Sequence, residues 1–473
     1  MIDELSPHLK YKPSGIPWLG DIPEHWQIRR IKSLFQERDE RSGDGKGTLL
    51  SLTRERGIVP HADASNKIQS AEDLSAYKVC RPGNLVMNRM QAWSGMFAVS
   101  PISGLVSPDY SVFEEKQILD RKYYEYVFKT QLLIDQFAKL SKGIGSGFNR
   151  LYTPEFGSIH VMFPPLAEQS SIVRFLNYAN IRIRRYIGAK HELIKLLEEE
   201  KQSVIHRAVT RGFKPDVRLK PSGIPWLGDV PEHWEILRAK AVCSAIIDCK
   251  NRTPDAVDGG GFLVVRTTCV REGRFDPNGG YKTDEKNYAI WSARGAPRFG
   301  DVFFTREAPA GEACLVPDHL KLCMGQRMMY LRPNPDVIDP RFLLLNIYGP
   351  LTRTYVELAT NGSTVGHLRL GQVYALPLLW CPLVEQQEIV QHVENASQEI
   401  ERLKFIARNE IQLLLEFRTC LIADVVTGKL DVRAAAAKLP DEIAEPERLD
   451  ETEDLSQDED VADGMELEAA EDI

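Results

Sequence analysis

At 473 residues, with 43% hydrophobic and 27% charged side chains, the chain is long enough for two or three domains and balanced as a soluble globular protein is. The longest nearly apolar stretch, residues 374–384, is about half a membrane span and holds Pro377 and Pro382, so no membrane helix is expected. The net charge of −8 conceals two regions. Residues 440–473 carry 16 acidic side chains and one basic, while residues 1–439 carry 58 basic against 51 acidic, a body of charge +7. A basic body suits a polyanionic partner. The tail lacks apolar periodicity and is expected to be disordered, as a solubilising appendage or as a polyanion mimic that discourages non-specific binding.

The opening residues have neither the charged lead nor the apolar run of a signal peptide, so no export signal is expected. The eight cysteines form no Cys-x-x-Cys pair. They read as reduced thiols of a cytoplasmic protein, with neither a disulfide framework nor a metal site.

In chain order, the first signal is Lys12-Pro13-Ser14-Gly15-Ile16-Pro17-Trp18-Leu19-Gly20-Asp21, which returns unchanged at residues 220–229. Over residues 11–30, 16 of 20 positions are identical at an offset of 208. A second block, Pro165-Leu166-x-Glu168-Gln169-x-x-Ile172-Val173, returns at an offset of 217, and that offset also aligns Gly83 with Gly300 and Arg89 with Arg306. A period above 200 residues means a duplicated unit. Each unit has a globular part with strand candidates (residues 83–89 and 110–113, then 300–306 and 327–330) and helical stretches at 122–140 and 340–358.

After each Pro-Leu-x-Glu-Gln the pattern changes. Ile172, Leu176, Ala179 and Ile183, like Ile389, Val393, Ala396 and Ile400, recur on three- and four-residue steps. Helices are expected over about 167–209 and 384–426, each roughly 65 Å long at 1.5 Å per residue. They either pair as an antiparallel coiled coil or pack separately on their own domains, and the equal lengths favour pairing. The fold class is therefore α+β: two tandem mixed domains at 1–165 and 214–383, long helices at 166–213 and 384–432, a pseudo-two-fold internal repeat, and a tail at 433–473.

Catalytic motifs are missing. Gly43-Asp44-Gly45-Lys46-Gly47-Thr48 has the wrong spacing for a phosphate loop, and a helical stretch precedes Gly143-Ile144-Gly145 where a cofactor loop needs a strand. Phe163-Pro164-Pro165-Leu166 lacks the amide and the aromatic with which an amino-methyltransferase holds a flipped base. Pro108-Asp109 and Pro317-Asp318 lack a partner for metal-dependent cleavage, and no catalytic residue is assigned. The ten histidines show no ligand spacing. His25 and His233 belong to the repeat and read as makers of local hydrogen bonds.

Reading a nucleic-acid sequence needs hydrogen-bonding groups for base edges and separate cations for phosphates. Loop-like stretches of the first unit offer Arg54, Arg56, Arg89, Gln91, Lys142, Asn149, Arg150 and Tyr152. Those of the second offer Lys250, Asn251, Arg252, Arg271, Arg274, Arg306, Gln326, Arg327, His367 and Arg369. Ser146 and Ser363 begin loops that share Gly-Ser and then diverge, as expected of two readers with different targets. Trp18, Trp26, Trp226 and Trp234, being repeated, read as structural.

Two copies of Pro-Ser-Gly-Ile-Pro-Trp-Leu-Gly-Asp-x-Pro-Glu-His-Trp, each followed by a variable domain and a Pro-Leu-x-Glu-Gln-x-x-Ile-Val helix, resemble the DNA-specificity subunit of type I restriction-modification systems over residues 11–430. The resemblance implies target-recognition domains held apart by the long helices, on double-stranded DNA. It implies two methyltransferase subunits and restriction subunits as partners, no membrane, and S-adenosylmethionine, ATP and Mg2+ used by those partners alone. It also implies a split, asymmetric target. A free-standing DNA-binding scaffold that has lost its partners is the alternative.

Overall fold

The computed structural model describes residues 5–54, 56–64, 73–143, 149–250, 252–360 and 366–440. The chain divides into two units, Met1–His191 with Arg408–Ile473, and Glu192–Ala407.

In the first unit, the repeated Pro-Ser-Gly-Ile-Pro-Trp segment folds as a short antiparallel ribbon, Tyr11–Pro13 against Asp21–Pro23. Gly15 and Gly20 close it at φ +75° and +67°, the left-handed region that disfavours side chains. A four-stranded antiparallel sheet follows, in the order Phe35–Arg38, Tyr110–Glu115, Leu85–Asn88, Phe97–Val99. Alternation places Leu85, Met87, Phe97 and Phe113 on one face, in a core with Tyr123, Tyr124, Phe128, Phe137 and Phe156. Val86, Ala98 and Val112 face the other way, onto Leu50, Leu52 and Ile58 of the hairpin Leu50–Thr53/Gly57–Pro60.

The second unit repeats this plan. Its ribbon is Leu219–Pro221 against Asp229–Pro231, and its sheet runs Cys243–Asp248, Met328–Pro333, Val302–Thr305, Ala313–Leu315. Val302, Phe304, Met329 and Leu331 face the helices, while Phe303, Met328 and Tyr330 face a second core. That second core is covered by a three-stranded sheet, Tyr281–Thr283, Phe262–Val265 and Leu322–Met324, where the first unit has the hairpin and a separate pair of strands, Lys78–Cys80 against Gly104–Val106. Each expected helical stretch is in fact two helices, Arg121–Phe128 and Gln131–Leu140, then Pro340–Tyr348 and Pro350–Thr360. Pro350 has no amide hydrogen for a continuing helix and starts a new one. In the first unit the Thr130 hydroxyl donates to the Val127 carbonyl at the break.

The long helices are Leu166–Arg211 and Leu383–Val426, of 46 and 44 residues. In each unit a stretch of one lies antiparallel to a stretch of the other. Lys190 pairs with Glu410 in the first unit; Lys201 pairs with Glu401, and Lys404 with Glu198, in the second. The Glu-Gln pair explains where these helices start. Gln169, fully buried, donates to the Pro164 carbonyl at 2.8 Å and accepts from the Asp120 amide at 2.9 Å, just ahead of the helix Arg121–Phe128. Gln386 does the same with the Cys381 carbonyl at 2.7 Å and the Asp339 amide at 2.8 Å. One carboxamide thus ties the long helix to the helix that covers the sheet.

Trp26 and Trp234 are fully buried, and Trp18 packs partly against the first core. Trp226 differs from expectation: on its turn it is half exposed. Residues 433–437, assigned above to the tail, form a helix, Arg433–Ala437, whose Ala435 and Ala436 join the first core with Val432. The acidic stretch from residue 441 lies outside the described residues. The cysteines are free thiols, and burial pushes Cys243 and Cys314 up to about 12. No described helix is long and apolar enough to cross a membrane.

Gln386→Ala strands a buried amide hydrogen and a carbonyl, so the urea transition of the second unit is expected to weaken by about 2–3 kcal/mol. Gln391→Ala, on the exposed face of the same helix, is expected to change it by less than about 0.5 kcal/mol.

Candidate nucleic-acid interface

Antiparallel pairing of the two inner strands brings the end of one beside the start of the other. In the first unit this places Arg89, after Leu85–Asn88, next to Asp109, before Tyr110–Glu115. Arg89 Nε donates to the Asp109 carbonyl at 2.6 Å and its Nη2 to the Pro108 carbonyl at 3.0 Å. The loop after the helix Gln131–Leu140 returns to this point, where the Leu151 amide donates to the Arg89 carbonyl at 3.0 Å. That return brings Arg150 Nη2 to 3.6 Å from Asp109 Oδ1, the oxygen that Arg89 Nη2 also meets at 3.5 Å. One half-exposed carboxylate holds two guanidiniums.

The second unit builds the equivalent place from the same backbone. The Leu368 amide donates to the Arg306 carbonyl at 2.9 Å, as Leu151 does to Arg89. The carboxylate is now Glu307, which takes Arg327 Nε at 3.1 Å and His367 Nδ1 at 3.2 Å. Arg327 has φ +77°, a left-handed conformation that costs an arginine about 1–2 kcal/mol and that proteins keep where a side chain must be aimed. Arg306 is mostly buried and holds Asp248 at 2.8 Å; among the described residues its Nε and Asp248 Oδ1 have no further partner.

The other residues named from sequence sit around these points. Arg54 and Arg56 are exposed on the turn of the hairpin Leu50–Thr53/Gly57–Pro60, with Arg56 donating to the Asp63 carbonyl. Arg271 and Arg274 are exposed and paired across a tight turn in the second unit. Gln91 accepts from Asn88, Lys142 pairs with Glu155, Asn149 is exposed, and Tyr152 is exposed at the start of the helix Thr153–Ser158. Lys250 lies 5.5 Å over the Trp291 ring, whose Nε1 donates to the carbonyl of exposed Arg252. Gln326 is exposed and its amide donates to Thr253; Arg369 is exposed at the start of the helix Leu370–Tyr374. Ser146, Asn251 and Ser363 lie outside the described residues.

The repeat brings Arg89, Arg150, Arg306, Arg327 and His367 to matching sheet ends, and leaves Arg54, Arg56, Arg271 and Arg274 on separate turns. Sequence reading weighs Asp109 only for metal-dependent cleavage and passes over Asp248 and Glu307, the other carboxylates that organise them. At the offset of 217, Asp109 falls opposite Gln326 and Glu307 opposite Met90, so comparing the copies hides them. The repeated His25 and His233 each bond a repeated glutamate, Glu168 and Glu385, at 2.7 Å.

Residues 23–184 match the type I restriction modification DNA specificity domain. Over 438 residues, 88% of this chain and 96% of the relative, the sequence is 20% identical to a Methanocaldococcus jannaschii protein named as the MjaX type I specificity subunit. It is 30% identical over 232 residues, about half of each chain, to the MjaVIII specificity subunit of the same organism. To the EcoKI specificity subunit of Escherichia coli K12 it is 21% identical over 333 residues, 67% of this chain and 68% of that one. Among solved structures, a chain from a study of type I restriction-modification assembly and conformational transition superposes with a TM-score of 0.63 at 17% identity, covering 86% of this chain and 98% of the other. The HsdS subunit of Thermoanaerobacter tengcongensis superposes at 0.53, with the same identity and coverage. The duplicated sheet and the two long helices share the fold of these solved structures, and in sequence the chain is similar along most of its length to type I restriction-modification DNA-specificity subunits.

Proposed function

We propose that this chain reads a split, asymmetric DNA target, one half with each unit, and positions two methyltransferase subunits and the restriction subunits on it without breaking a bond itself. The observation that carries the reading is the shared Leu151–Arg89 and Leu368–Arg306 backbone hydrogen bond beneath different charged groups. A common scaffold holds Asp109 with Arg150 in one unit and Glu307 with Arg327 and His367 in the other. Two readers built alike with different tips serve a target whose halves differ.

In this reading Arg150, Arg327 and His367 face base edges, and Arg89 and Arg306 hold the framework. Exposed Arg54, Arg56, Arg271 and Arg274 and half-buried Lys250 serve phosphates, which fix position without carrying sequence. The long helices act as the spacer that sets the unspecified gap between the halves. S-adenosylmethionine, ATP and Mg2+ belong to the partner subunits. Adenine N6 methylation by a partner requires the base to be flipped from the stack, and this chain decides which adenine is presented.

The test is co-expression with the methyltransferase partner in a host free of adenine methylation, with N6-methyladenine mapped by single-molecule sequencing. One split asymmetric motif, lost when this chain is omitted, is the expected result. Methylation by this chain alone, or a motif unchanged by its omission, overturns the reading. In the same assay Arg150→Ala is expected to relax one half-site and Arg327→Ala the other, each by about 1–3 kcal/mol of discrimination. Arg306→Ala is expected instead to destabilise the second unit by about 2–3 kcal/mol in urea unfolding, because it leaves Asp248 largely buried without its cation.

A further inference from the structure

The duplication supplies an internal control for a feature that only one copy has. In both units the repeated histidine bonds the repeated glutamate at 2.7 Å, His25 to Glu168 Oε2 and His233 to Glu385 Oε2. In the second unit the other carboxylate oxygen, Glu385 Oε1, accepts from Trp234 Nε1 at 3.1 Å. In the first unit it does not: Trp26 Nε1 is buried and has no partner among the described residues. Glu168 Oε1 is met instead at 3.6 Å by Nε2 of His8, a buried imidazole with no equivalent in the other copy. At the offset of 208, Asp216 stands where His8 does.

We propose that His8, His25 and Glu168 form a binding site for a divalent zinc ion in the first unit. Their donor atoms all lie within 4.8 Å of one another. Two imidazoles and a carboxylate are a donor set that zinc takes, with bonds of about 2.0–2.2 Å and donors therefore about 3.3–3.5 Å apart in a tetrahedron. The 3.6 Å from His8 to Glu168 already has that spacing. The 2.7 Å contact from His25 is a hydrogen bond that the ion replaces.

An outer layer is present as well. His8 Nδ1 faces Asp431 Oδ2 at 3.8 Å, on the side away from Glu168, where a carboxylate orients a metal-binding imidazole. Two cations line the same pocket: Lys10 is exposed and faces Glu24 at 4.0 Å, while Arg433 is 4.0 Å from Glu168 Oε1 but its guanidinium is bound by Asp431 at 2.6 Å and is half exposed. A surface pocket lined by His8, Glu24, His25 and Arg433 gives an entry path, and a water can take the fourth position. The site joins the segments just before and just after the first ribbon, through His8 and His25, to the start of a long helix, through Glu168.

The experiment uses the full-length chain, stripped with a chelator and titrated with zinc chloride, with bound metal counted by mass spectrometry and cobalt(II) as a spectroscopic probe. One zinc per chain is expected, with a cobalt spectrum of four-coordinate type and a thermal midpoint that rises with zinc concentration. His8→Asn and His25→Asn should each abolish these effects. His25 is the safer of the two for folding because its imidazole is well exposed. His233→Asn, in the copy lacking a third ligand, should leave them intact. Asp431→Asn should keep the stoichiometry but weaken binding about 10- to 100-fold. A folded native chain that takes up no zinc overturns the proposal, and so does zinc uptake unchanged in both His8→Asn and His25→Asn.

Discussion

Each unit depends on one buried carboxamide at the start of a long helix. Gln169 and Gln386 are wholly removed from water, and each answers a backbone carbonyl behind it and the amide that opens the helix covering the sheet. A buried amide or carbonyl left unmet costs about 1–3 kcal/mol, so the pair of bonds admits few alternative positions for the long helix. The glutamate beside it works outward, taking the repeated histidine, and in the second unit the tryptophan too. Pro-Leu-x-Glu-Gln is thus a joint: the proline ends the strand segment, the glutamine fixes the helix, and the glutamate fastens the ribbon segment to it. This is why the two most repetitive blocks of the sequence, 139 residues apart in one copy (Trp26 to Pro165) and 148 in the other (Trp234 to Pro382), recur together.

The scaffold was legible because its signals are local and duplicated. Strands at Leu85–Asn88 and Val302–Thr305 follow from a short apolar run entered through glycine, and the long helices from a seam that repeats without proline. The broken helices were less visible. Apolar periodicity runs on through Lys129 and Thr130, and only the Gly349-Pro350 pair of the other copy marks a stop. The end of the body was misplaced for a similar reason. Four consecutive alanines after Arg433 look featureless in sequence, yet their small side chains are what lets the helix lie against Val432 and the first core.

The recognition ends were half legible. Cations stand out in a sequence, and Arg89, Arg150, Arg306, Arg327 and His367 were all singled out. The carboxylates that set their roles did not stand out, because an isolated acidic residue carries no periodicity and the two copies place theirs at different positions. Contact geometry then divides residues that sequence had treated alike. Arg89 uses its Nε and Nη2 on the carbonyls of residues 108 and 109, so it orders a turn. Arg327 uses one nitrogen on Glu307 and is half exposed, so the rest of its fork is available. Burial and partner count, neither readable from residue type, distinguish a strut from a reader.

Duplication also shows where the copies have parted for reasons other than target choice. If His8 were only filling space, Glu168 could keep the tryptophan bond that Glu385 makes, since the rest of the joint is unchanged. Instead Trp26 has a buried N–H with no partner among the described residues, a loss of about 1–3 kcal/mol, while the glutamate faces His8 at 3.6 Å. An imidazole nitrogen at that distance from a carboxylate oxygen is a weak exchange for a full hydrogen bond. The balance is restored if a third party, with affinity for both, occupies the space between them.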